Sequence, residues 1–265
     1  MKKALLVVSF GTSHKETRDK TIGAIEQFLS NAYPDRELRR AFTSGMIMKV
    51  LKKRDNIHID NVSEAMEKLV EEGFQDVIVQ PTHIINGEEY DKMAEQIEPF
   101  VTSFDNICVG KALLTSSEDY EEVCKAIMEE VPELDTTKNK SAKGETALVL
   151  MGHGTGHFAD SAYTALDYRF KALGYENVFV GTVEGYPELD LIVEKVKKYA
   201  PKRVVLMPFM VVAGDHAVND MAGEEEDSWK TTFENGGFEV SCILRGIGEF
   251  QGIQQIYLKH TVDCQ

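Results

Sequence analysis

The first half of this chain is written again, in degenerate form, in the second. Residues 4–14 (ALLVVSFGTSH) align without a gap with residues 147–157 (ALVLMGHGTGH), sharing five of eleven positions. Further on, residues 77–89 (VIVQPTHIINGEE) align with 204–216 (VVLMPFMVVAGDH), keeping Val, Pro and Gly in place. Between these blocks, Thr43-Ser44-Gly45 corresponds to Val183-Glu184-Gly185. The offset drifts from 143 through 140 to 127, so loop lengths change while the order of elements persists. Two equivalent lobes with a cleft between them follow, and an ancestral duplication is the natural cause.

Each lobe alternates short β-rich runs with helical patterns. Strands are expected at 4–9, 38–42, 76–80, 107–110, 146–151, 178–181, 203–208 and 239–244. Several are continuous apolar runs, as parallel strands covered on both faces require. Helices are expected at 15–30, 62–72, 120–130, 159–171, 189–199 and 250–260, with Asn61 or Ser63 as an N-cap and Gly73 just past a C-terminus. This alternation predicts two similar doubly wound α/β lobes with parallel sheets. The polar stretch 132–144 reads as the linker, dividing an N-terminal lobe (1–131) from a C-terminal lobe (145–265). At 43% apolar residues, the chain can fill both cores.

A formal charge of −15 excludes nucleic acid as a partner, because phosphate binding needs a basic face. The opening MKKALLVVSF has an apolar run too short for a signal peptide and reads as a buried first strand. No segment approaches the ~20 apolar residues of a membrane span, so no membrane partner is expected. Cys108, Cys124, Cys242 and Cys264 lie far apart without a C-x-x-C, and read as free thiols of a cytoplasmic protein. The acidic surface fits a monomer or a small homo-oligomer.

The aligned halves differ where chemistry could occur. His153, Glu184 and His216 stand where the first half has Phe10, Ser44 and Glu89. Two metal-capable side chains therefore replace residues that make poor ligands. All three follow a strand, at the carboxyl edge where open α/β sheets bind ligands. Two imidazoles and a carboxylate suit Zn, Co, Ni or Fe(II) and leave coordination positions open. Spacing alone does not force the three together. His83, in PTHIINGEE, is a further candidate for the cleft; His14 and His157 fall near helix starts as capping residues; His58 and His260 read as structural. The run 224–227 reads as a solvated loop, and Gly11-Thr12-Ser13 lacks the lysine and spacing of a P-loop, so no nucleotide is expected.

Six segments, in order across nearly the whole chain, resemble the CbiK-type family of anaerobic sirohydrochlorin cobalt chelatases. They are LLVVSFGTS (5–13), RAFTSGMI (40–47), THIINGEEYDK (82–92), MGHGTGH (151–157), VEGYPELD (183–190) and MPFMVVAGDHAVNDMAGEEEDSWK (207–230). That family belongs to the class II chelatases, with protoporphyrin ferrochelatase. The resemblance implies a two-lobed chelatase fold and a divalent metal as substrate, Co²⁺ by preference with Fe²⁺ or Ni²⁺ as alternatives. The metal would enter sirohydrochlorin without a nucleotide, at a site formed by His153, Glu184 and His216. It also implies a further acidic residue in the NGEEY segment, Glu89 with Glu88 as its neighbour. On this reading His153 doubles as the base, and Glu89 orients the substrate or takes up a proton. The macrocycle would rest on Phe10, Gly11, Thr12, Ser13, Ser44, Gly45, Met46 and His83, with Lys49, Arg54 or Arg245 meeting its carboxylates. A tetrapyrrole or metal carrier without turnover is the other reading.

Overall fold

A computed structural model of the protein describes residues 1–138 and 144–264; residues 139–143 of the expected linker lie outside the described residues. In the first half, β1 (Lys3–Ser9), β2 (Glu37–Phe42), β3 (Asp76–Pro81) and β4 (Asn106–Val109) form a parallel sheet in the order β2-β1-β3-β4. In the second, β5 (Thr146–Gly152), β6 (Val178–Thr182), β7 (Arg203–Pro208) and β8 (Glu239–Cys242) repeat it as β6-β5-β7-β8. The registers repeat too. Lys3 faces Asp76 in one sheet and Thr146 faces Arg203 in the other, equivalent positions in the sequence alignment. This is the doubly wound α/β duplication expected from the sequence.

Burial on both faces explains the apolar runs. Ala4, Leu6 and Val8 of β1 pack into one core cluster with Val62, Met66, Leu69, Met93 and Ile97 from the helices below, while Leu5 and Val7 are fully buried on the opposite face. The helices of this half are α1 (Lys15–Lys20), α2 (Ile22–Ala32), α3 (Gly45–Asp55), α4 (Val62–Glu71) and α5 (Glu88–Ile97). The single helix expected at 15–30 is broken at Thr21, whose hydroxyl donates to the Thr17 carbonyl. Asn61 and Glu64 form a reciprocal capping box at the start of α4, and Gly73 follows its last turn at φ +76°. The helices α3 and α5 are not among those expected. Leu51 is the buried residue of α3, which leaves a weak pattern, whereas Tyr90, Met93 and Ile97 of α5 recur at helical spacing and pack on the core.

The second half contributes α6 (Ser117–Glu130), α7 (Ser161–Ala172), α8 (Leu189–Tyr199) and α9 (Trp229–Asn235), with a π-helical turn at His216–Met221. The last helix, α10 (Gln251–Asp263), belongs to the first half. The two compact units are Met1–Thr115 with Ile253–Gln265, and Ser116–Gly252. This division differs from the one read at 132–144. The helix α6 joins the second unit, where it packs on α7. The helix α10 is tied to the first: buried Tyr257 donates to the Thr82 carbonyl (2.8 Å), Tyr33 bonds Thr261 (2.9 Å), and the His260 ring meets the Lys111 carbonyl (3.2 Å).

A disulfide joins Cys108 of β4 to Cys264 beyond α10, with Cα atoms 5.6 Å apart. The expectation of four free thiols is thereby corrected; Cys124 and Cys242 are free. The two bridged residues are 156 positions apart, and only the return of α10 brings them together. No described helix is long and apolar enough to cross a membrane.

Candidate metal centre

The three ligand candidates, scattered over 64 positions of sequence, converge within the second unit. His153 follows β5, Glu184 follows β6, and His216 opens the π-turn after β7. Each offers a ligand atom within 4.8 Å of the others. The two imidazoles stand at right angles (89°) with centroids 4.8 Å apart, and Nδ1 of His153 lies 3.8 Å from a Glu184 oxygen. All three side chains reach solvent, being 45%, 59% and 36% exposed, so an ion or a planar ligand can approach. Strand order explains the convergence. Because β5 is central, its loop lies between those of its neighbours β6 and β7.

Backbone and carboxylates hold these loops. The amide of Glu184 donates to the His153 carbonyl (2.8 Å) and that of Val183 to Gly152 (3.0 Å). Asp160 accepts from the amides of Thr155 (3.0 Å) and Tyr186 (2.7 Å), pinning the His153 loop to the Glu184 loop. The turn needs glycine. Gly154 sits at φ +82°, and a Cβ there would lie 2.4 Å from the Gly185 nitrogen. Tyr163 is buried under Gly152, its phenol pushed up to about 12 by burial. The ring orientations are set individually: Nδ1 of His153 meets the Gly154 carbonyl (2.9 Å), and Nδ1 of His216 meets an Asp220 oxygen (2.5 Å). Asp220 also lines a cavity of about 310 Å³ with Thr182, Glu188, Asn219, Glu225 and Trp229. The run 224–227 is the solvated loop expected: all four residues are exposed, Glu224 pairs with Lys230, and Glu225 and Asp227 stand at the rim of that cavity.

The first unit carries the remaining candidates. Glu89 lies in the first turn of α5. Burial alone would raise its carboxyl, but the hydrogen bond from Lys92 and the Lys92 charge oppose it, and the carboxyl is held below the ordinary value. That ionised state fits an orienting role better than proton uptake. Glu88 is the more exposed of the pair (60% against 31%). His83 has both ring nitrogens hidden from solvent and without protein partners, and burial lowers it to about 4, so the ring is neutral. Phe10 and Met46 present apolar side chains to solvent (49% and 75% exposed). Gly11 turns at φ +101° against the Phe42 ring. Thr12, Ser13 and Ser44 serve the local fold: the Thr12 hydroxyl accepts from the His14 amide, the Ser13 carbonyl accepts from Arg54, and Ser44 caps α3 ahead of Gly45. Arg54 is paired with Asp55, and Arg245 with Glu130 and Glu249, in solvent-accessible ion pairs that a substrate carboxylate would have to displace.

His157 accepts the Ala159 amide as a cap, and His14 stands at the start of α1. A second ligand group, His58, Asp60 and Glu64, occurs among the described residues. Its carboxylates are already engaged, Asp60 by Lys68 and Glu64 by the cap of α4. Sequence reasoning passed over Asp160, Asp220 and the exposed apolar residues Phe158, Tyr186 and Val218, each near a ligand in sequence. The four-residue spacing from His216 to Asp220, one helical turn, was a legible signal for one of them.

With that geometry in place, comparison with known proteins is decisive about family. A family model described as cobalt chelatase (CbiK) matches residues 3–265. The sirohydrochlorin cobaltochelatase of Salmonella typhimurium is 43% identical over 260 residues, covering 98% of this chain and 95% of its own. Sirohydrochlorin cobaltochelatase CbiKC of Nitratidesulfovibrio vulgaris is 33% identical over 261 residues, covering 98% and 89%. Among solved structures, SirB from Bacillus subtilis with Fe³⁺ matches with TM-score 0.66 at 14% identity, covering 100% of this chain and 96% of its own. CbiX, from siroheme biosynthesis in denitrifying bacteria, matches with TM-score 0.58 at 12% identity, covering 99% and 100%. These two likenesses concern the fold. On the family match and the two close relatives, the chain belongs to the cobalt chelatase (CbiK) family.

Proposed function

We propose that this protein is a sirohydrochlorin cobaltochelatase of anaerobic cobalamin biosynthesis, inserting Co²⁺ into the macrocycle without a nucleotide. The observation that carries the reading is the convergence of His153, Glu184 and His216 in one unit of a duplicated frame whose other unit lacks the set. All three ligands come from a single chain, so the reading needs no second copy.

Insertion exchanges two pyrrole N–H protons for one M²⁺. Three protein ligands hold a divalent ion with positions open to the incoming nitrogens. As the ion moves to the macrocycle, each imidazole it leaves regains a lone pair near neutral pH, so the ligand that releases metal can accept a proton. His153 takes that role in our reading, and ionised Glu89 orients the macrocycle. Phe158, Tyr186 and Val218 offer apolar surface to a flat ring. The proposed setting is the cytoplasm, a reading carried by the biosynthetic role and no longer by the thiols, since a persistent Cys108–Cys264 bond is what an oxidising compartment favours.

The test is anaerobic absorbance of sirohydrochlorin with Co²⁺, using the wild-type protein and His153→Ala. Repeated turnover with excess Co²⁺, lost in the variant, is the expected result. Equal conversion by both would remove His153 from the mechanism. Tight macrocycle binding without turnover would make the protein a carrier.

A further inference from the structure

We infer that Asp220 is a positioning residue for metal loading, fixing which nitrogen of His216 faces the ion. The inference rests on His216 being a ligand. His216 opens the π-turn His216–Met221, and Asp220 follows four residues later on the same turn. Such single π-turns recur at functional sites, where they re-aim side chains. Here the turn brings Asp220 Oδ2 to 2.5 Å from His216 Nδ1.

An ionised carboxylate only accepts hydrogen bonds, so this contact requires the proton on Nδ1. The neutral ring then presents the Nε2 lone pair to a metal. The opposite tautomer would set the Nδ1 lone pair against carboxylate oxygens. His153 differs. Its Nδ1 lies 2.9 Å from the neutral Gly154 carbonyl. An anionic partner makes a ligating imidazole the better donor, and its loss typically weakens metal binding about 10- to 100-fold. The pair is therefore asymmetric, with His216 the stronger anchor and His153 the ligand that releases first. That order agrees with His153 as proton acceptor. Four residues beyond the aligned Glu89, the first unit has Met93, buried in its core, so this support is confined to the second unit.

The experiment combines Asp220→Asn with His216→Ala. Co²⁺ alone is titrated into each protein and followed by its ligand-field absorbance. Imidazole ¹⁵N resonances of the metal-free proteins report the His216 tautomer. For Asp220→Asn we expect Co²⁺ affinity about 10- to 100-fold weaker. The KM for Co²⁺ should rise, kcat should change by less than about threefold, and the resonances should become those of a tautomer mixture. A merely structural role would instead lower the thermal unfolding temperature and leave the tautomer and the KM-against-kcat split unmoved. If His216→Ala binds Co²⁺ like the wild type, the ligand reading itself fails. If His216→Ala loses binding while Asp220→Asn keeps wild-type affinity, the positioning role is overturned. Finding His216 protonated on Nε2 in the wild-type protein overturns it without any variant.

Discussion

The two units share a backbone and differ in what it carries. In the first, the Ser44 amide donates to the Phe10 carbonyl and that of Thr43 to Ser9; in the second, Glu184 donates to His153 and Val183 to Gly152. Thr82 bonds Val8 as Phe209 bonds Met151, and Leu113 bonds His83 as Ile247 bonds Met210. Both first turns run through a glycine in the left-handed region, Gly11 and Gly154. The same hydrogen bonds thus hold Phe10 and Ser44 in one unit and two ligands in the other. The supports differ as well. Three residues beyond the aligned His14 and His157 stand Thr17 and Asp160; four beyond the aligned Glu89 and His216 stand Met93 and Asp220. Duplication supplies the positions, and carboxylates behind the ligands turn positions into a centre.

The largest effect should come from exchanging chemistry between the units. Glu184→Gln is expected to lower cobalt insertion by about 10²- to 10⁴-fold, as loss of several kcal/mol of metal-borne stabilisation would. The reverse graft, Phe10→His with Ser44→Glu and Glu89→His, should create no Co²⁺ site, because nothing there matches Asp160 or Asp220. Equilibrium titration yielding a second bound Co²⁺ would break the comparison by showing that ligands alone suffice.

The shared frame is sharpened by a pair of core truncations. Leu5 and Leu148 occupy aligned positions and are fully buried. Leu5→Ala and Leu148→Ala should each destabilise their unit by about 2–5 kcal/mol through lost transfer energy and the cavity left behind. Urea unfolding should give similar losses for the two. One near zero would mean that the two sheets are not packed alike.

A smaller effect separates His83 from its counterpart Met210. Burial lowers His83 from 6.5 to about 4 in the folded protein, so between those values the unfolded chain binds more protons. Its contribution is complete above about pH 6.5 and is lost as pH falls through 4, amounting to at most about 3 kcal/mol. His83→Met should flatten the decline of stability across that window, measured by urea midpoints at each pH. An unchanged decline would assign acid sensitivity to other groups.

Much of this is legible in the sequence. Short β-rich runs, several of them continuously apolar, marked all eight strands, and Asn61 and Gly73 marked the ends of α4, because burial and capping leave local traces. The helix α3 leaves little such trace, burying Leu51 alone, whereas α5 carries Tyr90, Met93 and Ile97 at helical spacing, a signal the expected helices omit. The ligands were visible as departures from the repeat, but their supports were not. Asp160 acts on the amides of Thr155 and Tyr186, and only folding brings the latter within reach. The pairing of Arg245 with Glu130, 115 positions away, is likewise made only by folding.

By itself, then, the sequence determined two similar lobes with parallel sheets and the places where their carboxyl edges differ. Hydrophobic patterning is written residue by residue, and a repeat exposes its own exceptions. The tertiary structure alone decided that α6 and α10 are exchanged between the units, that Cys108 meets Cys264, and that carboxylates hold His153 and His216 in place. Those outcomes depend on which distant surfaces close on one another, and a contact across many residues leaves no local pattern in the chain.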